Sequence, residues 1–301
     1  MKILFCSDGS AAAENAVRFG ALIAEGCHAE TAVLGICEHP GTQDALLKSL
    51  RRSQELLKEH SLDAELTTKS GQPVTEIIKR TREIPCDLVV IGAERRPGRT
   101  PALRSVKAYQ IIEAVTPPVL VVLGHRPALR RILLCSGGGE QAGKAVELTG
   151  LIAGGAHAEV TLFHVSPAPP AMFAGLLQRE EDTDRWLASD SALSRGLRQQ
   201  QETLTRLGVT CTVRLRAGLV LSEVVRELRQ GEYDLVVAGS SLAGGPLRAY
   251  MLGNVAREIV NHAEWPVLVV RTGRVEHPWS HFIHLLGSRP SPHQKTSNPS
   301  R

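Results

Sequence analysis

The stretch that decides the fold reads DLVVAG (234–239), SSLAGGPLRAYML (240–252), GNVAREIVNHAEW (253–265) and PVLVV (266–270). Its first and last segments are short valine-rich runs, typical of strands that are buried on both faces of a parallel sheet. The segment that begins at Gly253 has the spacing of a helix. The glycines lie where a strand gives way to a helix, a place where backbone N–H groups bind phosphate. The stretch therefore predicts a strand, a loop, a helix and a second strand.

The same unit occurs upstream, so the chain is an internal repeat. Residues 87–92 (DLVVIG) match the start of the stretch, and residues 118–122 (PVLVV) match its end. The start of the chain, KILFCS from Lys2, recurs as RILLCS from Arg131, 129 residues later, whereas Asp87 and Asp234 are 147 residues apart. The second copy therefore carries 18 extra residues after its second strand. We place them in a proline-rich insert and a lengthened helix from about Arg179 to Leu207.

Each copy reads as five strands alternating with four helices, which predicts a doubly wound α/β fold. The first helix is expected from about residue 11 to 25, with Gly26 ending it. We expect one domain over residues 1–125 and a second over 130–271, joined by a very short linker. Residues 272–301 are rich in serine, proline and histidine and are expected to be a mostly disordered tail.

The composition excludes several classes of protein. With 43% hydrophobic and 22% charged residues the chain can bury a sizeable core, and its net charge of +4 is spread along the sequence. Nucleic-acid binding normally needs a concentrated basic face, so none is expected. No apolar run reaches the length of a membrane span, and no membrane association is expected. The six cysteines have no CxxC or zinc spacing, which favours free thiols in a reducing cytoplasm and no metal site.

As a duplicated set, KILFCSDGS, HAETAVLGICE and DLVVAG…LGNVAREIVNHAEWPVLVV resemble the universal stress protein family in its tandem, two-domain form. The resemblance implies two Rossmann-like (adenine nucleotide alpha hydrolase-like) domains, each a five-stranded parallel sheet of order 3-2-1-4-5. A crevice then opens between strands one and four, where α/β proteins bind ligands. Because dimers of this family pair through the last strand, Val119–Val122 should lie against Val267–Val270 in an intrachain pseudo-dimer. A further homo-oligomer and an unknown protein partner stay open.

The resemblance also implies an ATP site. In ATP-binding members an aspartate follows strand one, the end of strand two contacts adenine, and a G-x2-G-x9-G-[S/T] loop after strand four wraps the phosphates. The positions that carry these roles are Asp8, Ile36, Gly92 and Ser105 in the first half, and Gly137, Val165, Gly239, Gly244, Gly253 and Asn254 in the second. Neither half has the full set. Arg95 stands at the second glycine position of the first half, Gly137 replaces the aspartate, and Asn254 replaces the hydroxyl residue. Without a gap Ser105 matches Gly253, whereas a one-residue gap places Arg104 at that glycine and Ser105 at the hydroxyl position.

Each candidate also has a simpler interpretation. Asp8 or Ser10 could serve only to cap the first helix, and the glycines from 239 to 253 could be kept for their turn. The basic cluster Arg95, Arg96, Arg99, Arg104 and Lys107 could bind phosphate or be a solvated loop. The sequence thus predicts a cytoplasmic, ATP-binding stress-response protein without catalysis. The alternative is a scaffold that binds protein partners without nucleotide, and an ATP-hydrolysing enzyme would need a base or metal ligands that the sequence does not offer.

Overall fold

The computed structural model of the chain describes residues 1–94, 106–139, 142–166, 182–241, 256–262 and 264–272. In the first half, apolar strands alternate with helices that each bury one face. They are β1 (Lys2–Ser7), α1 (Ala11–Gly26), β2 (Glu30–Cys37), α2 (Gln43–Glu59), β3 (Ala64–Ser70), α3 (Pro73–Glu83), β4 (Leu88–Ala93), α4 (Val106–Ala114) and β5 (Val119–Leu123). A short 3-10 turn, Pro40–Thr42, leads into α2.

The second half repeats this order with one additional helix. Its elements are β6 (Arg131–Cys135), α5 (Gly143–Ala156), β7 (Glu159–Ser166), α6 (Asp182–Leu187), α7 (Ala192–Arg206), β8 (Cys211–Ala217), α8 (Val220–Gln230), β9 (Leu235–Ser241), a helix α9 at 256–262, and β10 (Val267–Thr272). Below, matched residues are those related by the internal repeat. They are 129 apart before the insert, 147 apart after it, and 148 apart after the longer loop that follows β9.

The ten strands form one sheet in the order β3-β2-β1-β4-β5-β10-β9-β6-β7-β8. Neighbouring strands within each half are parallel, which confirms the predicted α/β class. At the centre β5 and β10 pair antiparallel, with Leu120 opposite Leu268. The valine-rich edges expected to pair therefore join the two halves, and neither is left open to another chain.

Matched residues meet at this junction, so a local twofold axis relates the halves. Leu120 and Leu268 are matched, and so are Gly26 and Gly155 on the helices above them. A Cβ on Gly26 would lie 2.5 Å from the carbonyl carbon of Gly155. Gly26 is the last residue of α1, and its backbone does not have a positive φ. The left-handed conformation is found two residues later, at His28, with φ of 46°. Helix α1 thus ends at Gly26 as predicted, although the left-handed residue comes two positions later, and the bare Cα of Gly26 lets α1 and α5 cross closely.

The core has two layers, one on each face of the sheet. Helices α1, α2, α5 and α7 cover one face, and α3, α4, α8 and α9 cover the other. Phe5, Phe19 and Phe163 are among the few large aromatic side chains that are fully buried. Most of the remaining core is Val, Leu, Ile and Ala. The sheet is therefore covered on both sides, as its continuous apolar strands require.

The lengthened helix predicted from about Arg179 to Leu207 is two helices, α6 and α7, and this prediction is wrong. The chain turns at 188–191, where Ser191 accepts a hydrogen bond from Ser194 N at 3.0 Å and forms the N-cap of α7. Serine and aspartate favour caps and turns over helix interiors, because their side chains compete for backbone hydrogen bonds. The proline-rich insert and residues 179–181 lie outside the described residues.

Membrane-spanning helices and clusters of metal ligands were searched for among the described residues. In the described ranges no helix is both long and apolar enough to cross a membrane, and no cluster of three potential metal ligands occurs there. All six cysteines are free thiols, with Cys6 and Cys37 buried. Burial raises the pKa of Cys86 and of Cys211 to about 11, so these thiols stay protonated at neutral pH. The tail predicted from residue 272 lies almost wholly outside the described residues.

Candidate functional site

The first crevice lies at the carboxyl ends of β1 and β4, which are neighbours in the sheet. The chain leaves β1 for α1 on one face and leaves β4 for α4 on the other. Two connections that diverge in this way leave a gap between them, the usual ligand crevice of an open α/β sheet. Asp8 follows β1 directly at this edge, and Gly92 lies near the end of β4.

The side chain of Asp8 is exposed and is not the cap of α1. That role belongs to Ser10, whose Oγ accepts from Ala13 N at 3.2 Å. Asp8 Oδ1 accepts from Ser10 N at 3.0 Å, and Oδ2 has no partner among the described residues. The carboxylate is therefore held in place through one oxygen, and its second oxygen remains available to a ligand.

Gly92 is explained by packing. A Cβ at this position would overlap the carbonyl group of Ala12 and lie 2.6 Å from Ala13 N, both in the first turn of α1. Helix α1 can therefore approach the end of β4 only if residue 92 is glycine. The presence of Gly92 is required by the fold, whether or not a phosphate ever lies near it.

At the end of β2, the side chain of Ile36 is only 3% exposed and packs in the core. Only the backbone at this position can face the crevice. Two residues later, Glu38 accepts hydrogen bonds from Lys107 Nζ through both of its carboxylate oxygens, at 2.8 and 3.0 Å. Lys107 lies in the first turn of α4, so this ion pair spans from the β2 side to the β4 side of the crevice.

The second crevice, between β6 and β9, differs from the first in the residues at its edge. Gly137 takes the place of Asp8, and a Cβ there would meet no atom of the described residues within 4 Å. Packing in the described part of the chain therefore does not require glycine at this position. Next to it, Gly138 is left-handed with φ of 74°, as its matched residue Gly9 is with φ of 83°. The backbone path after the first strand is thus the same in both halves, and the difference lies in the side chains.

Polar side chains fasten the loop of the second crevice. Ser136 Oγ donates to Gln200 Oε1 at 2.6 Å and accepts from Gly138 N at 3.0 Å, while Gln200 Nε2 donates to the carbonyl oxygen of Gly139 at 3.3 Å. Gln200 comes from α7 and is 7% exposed. The loop is therefore cross-linked to α7 by buried hydrogen bonds, which are expensive to leave unmade.

His164 adds a further contact from β7. Its Nδ1 lies 2.8 Å from the carbonyl oxygen of Ser136, so Nδ1 carries the proton and donates. Burial lowers the pKa of His164, and the hydrogen bond to the backbone opposes this effect only in part. The ring is neutral at pH 7. Its matched residue is Gly35, where a Cβ would lie 2.5 Å from Leu50 Cδ1.

Sequence reasoning missed His164 and Gln200. A signal for both exists in the repeat: a histidine replaces a glycine in a buried strand, and a glutamine replaces Ser53 on the buried stripe of a helix. Of the predicted positions, Gly239 lies within β9 opposite Val270, and Val165 is half-buried near the end of β7. Positions outside the described residues are Arg95, Arg96, Arg99, Arg104, Ser105, Gly244, Gly253 and Asn254.

A family model described as the Universal stress protein family matches residues 1–122 and again 128–271. Among solved structures, a universal stress protein from Archaeoglobus fulgidus DSM 4304 is 15% identical with a TM-score of 0.65, covering 90% of this chain and 98% of its own. A functionally unknown protein from Pseudomonas aeruginosa PAO1 is 18% identical with a TM-score of 0.62, covering 90% and 92%. At these identities the structures show the fold alone. Among curated proteins no sequence matches.

The fold and its two crevices define a class: doubly wound α/β proteins in which two copies of one domain pair within a single chain. The two family-model matches together span most of the sequence. The chain belongs to the universal stress protein family, in its tandem form.

Proposed function

We propose that this protein is a cytoplasmic stress-response protein that acts by binding an adenine nucleotide, ATP, in the first crevice. The observation that carries the proposal is that the Asp8 carboxylate is exposed and hydrogen-bonded through only one oxygen among the described residues. Because Ser10 caps α1, the carboxylate of Asp8 is not needed there, and its Oδ2 is open at the carboxyl edge of the sheet. A carboxylate in this position can accept hydrogen bonds from the ribose hydroxyls of a nucleotide.

The second half supports a different role. It has Gly137 in place of the aspartate, and Ser136, Gln200 and His164 bind one another or the adjoining loop. These contacts favour a structural domain, so we expect one nucleotide for each chain. They also give some support to the alternative function, a scaffold that binds protein partners without nucleotide.

The proposal describes binding rather than turnover. Hydrolysis of ATP requires a positioned base or metal ligands. Among the described residues at the carboxyl ends of β1, β2 and β4, the acid and base side chains are Asp8, the Glu38–Lys107 ion pair, His39 and Glu94, and no group of three of them could hold a metal ion. We therefore expect release of inorganic phosphate from ATP to be no faster with the protein than in buffer.

Isothermal titration with Mg-ATP tests the proposal. We expect one site per chain with a Kd below about 1 mM, and a loss of affinity of about tenfold or more for Asp8→Asn, because the neutral amide accepts hydrogen bonds less strongly. Asp63→Asn is the matched control: Asp63 is also exposed but precedes β3, at the opposite edge of the sheet. It should bind like the wild type.

Thermal melting separates the two functions. A ligand that binds only the native state raises the melting temperature by mass action. A melting temperature that Mg-ATP leaves unchanged, together with a silent titration at about 1 mM, would reject nucleotide binding and favour the scaffold.

A further inference from the structure

The ion pair between Glu38 and Lys107 links the two sides of the first crevice. Glu38 follows β2, and Lys107 lies on α4, which follows β4. In the sheet β1 separates β2 from β4, so the pair connects elements on opposite sides of the strand that precedes Asp8. The pair therefore lies at the same carboxyl edge of the sheet as Asp8, with its two residues on either side of β1.

Lys107 is the more solvent-accessible partner of this pair. The side chain of Lys107 is 61% exposed and that of Glu38 is 27% exposed. Ion pairs this open to water are weak, since water and salt screen the attraction. A lysine ammonium is also a good ligand for phosphate, as a compact charge with three donors. An entering polyphosphate can thus take Lys107 from Glu38 at little cost.

The sequence of the second half does not repeat the two charged residues of this pair. The residues matched to Glu38 and Lys107 are Pro167 and Val255, neither of which can carry a charge. The ion pair is therefore not a requirement of the fold, which forms with and without it. It occurs in the half that also keeps the aspartate.

We propose that Lys107 is a phosphate ligand of the first crevice and that Glu38 holds it while the crevice is empty. This inference rests on the nucleotide binding proposed above. When a nucleotide binds, Lys107 exchanges the carboxylate of Glu38 for a phosphate oxygen, and Glu38 is left unpaired near the phosphates. The two residues together set how strongly the site prefers a phosphorylated ligand over the bare nucleoside.

Titrations with Mg-ATP and with adenosine, at one salt concentration, test this exchange. Lys107→Gln should weaken ATP binding by about tenfold, because it removes a cation that contacts phosphate. Glu38→Gln should tighten ATP binding by about three- to tenfold, because Lys107 is then free and the carboxylate no longer repels phosphate. Adenosine has no phosphate, so its affinity should change by less than about twofold in both variants.

Another lysine–glutamate pair provides charge-matched controls. Lys2 and Glu30 lie 4.0 Å apart at the starts of β1 and β2, the edge of the sheet opposite the crevice. Lys2→Gln and Glu30→Gln change the net charge in the same way as the test variants. They should leave the affinities for ATP and adenosine unchanged, and urea unfolding of all four variants verifies that they fold.

Three results would overturn the inference. If the wild type binds ATP and both crevice variants bind ATP and adenosine more tightly to the same degree, the ion pair only obstructs entry of the ligand into the crevice. If neither variant separates ATP from adenosine, Lys107 does not contact phosphate; in both cases nucleotide binding itself still stands. If no variant and no wild-type protein binds either ligand, the proposed function fails, and the exchange fails with it.

Discussion

The backbone after the first strand takes the same path in both crevices, but the side chains around it differ. In the first, Asp8 is exposed, and the matched residues Gly35 and Ser53 make no hydrogen bond to the loop. In the second, His164 and Gln200 bind that loop from two different elements. The comparison shows that one fold can keep an edge open for a ligand or close it with its own polar groups. Which of the two happens depends on a few side chains.

The same divergence occurs at the contact between the halves. Arg257 lies over the ring of Tyr109, 4.6 Å from its centroid, and these two residues are matched. A symmetric dimer of identical chains would place two tyrosines or two arginines at this point. Fusion of the copies into one chain allows an unlike pair, here a favourable cation–π contact.

The largest difference between the crevices should appear when a methyl group is added to each. Gly92→Ala should reduce the free energy of unfolding by about 3 kcal/mol or more, since the new Cβ overlaps the backbone of α1 and backbone cannot move aside. Gly137→Ala should change it by less than about 0.5 kcal/mol, because a Cβ there meets no described atom within 4 Å. Urea unfolding measures both. Equal effects in the two variants would show that the edges are packed alike.

Replacing the matched buried polar residues Gln200 and Ser53 should have smaller effects, which differ between the two halves. Gln200→Ser, which installs the first-half residue, should destabilise by about 1–3 kcal/mol because Ser136 and Gly139 lose their partner. Ser53→Ala should be neutral or stabilising by up to about 1 kcal/mol, because its buried Oγ has no partner among the described residues. The comparison fails if Ser53→Ala is the more harmful change.

The smallest expected difference between the halves is in how stability depends on pH, through the buried His164 of the second half. Burial lowers the pKa of His164 below its ordinary value of 6.5, so the native state takes up fewer protons than the unfolded state below that pH. Its contribution is then complete above pH 6.5 and is lost as the pH falls toward the lower native pKa, by at most about 1.4 kcal/mol per pH unit.

Urea unfolding between pH 7 and pH 5 detects this contribution. The histidine variant His164→Asn should lose less stability over the range than the wild type, and the difference between the two proteins removes the effect of the other titrating groups. Identical slopes would mean that His164 is protonated as readily in the native state as in the unfolded chain.

The sequence accounts for most of the fold. Valine-rich runs such as 87–92 and 234–239 are typical of strands in a parallel sheet covered on both faces, and the repeat indicates two such sets of strands. The resemblance to the family predicted that the last strands of the two halves pair, and covering two apolar edges agrees with it; the antiparallel direction of this pairing came only from the structure. The break between α6 and α7 was missed, since a serine–aspartate segment can lie in a helix or cap one, and periodicity does not distinguish the two.

The candidate site was predicted less completely than the fold. The sequence identified Asp8 and its replacement by Gly137 in the second half, because this is a difference in residue type at matched positions. Only the tertiary structure decided that Ser10 rather than Asp8 caps α1, that Gly92 is fixed by the backbone of Ala12, and that Glu38 reaches Lys107 across 69 residues of chain. These facts depend on distances between elements far apart in sequence, and such distances are set by packing rather than by local pattern.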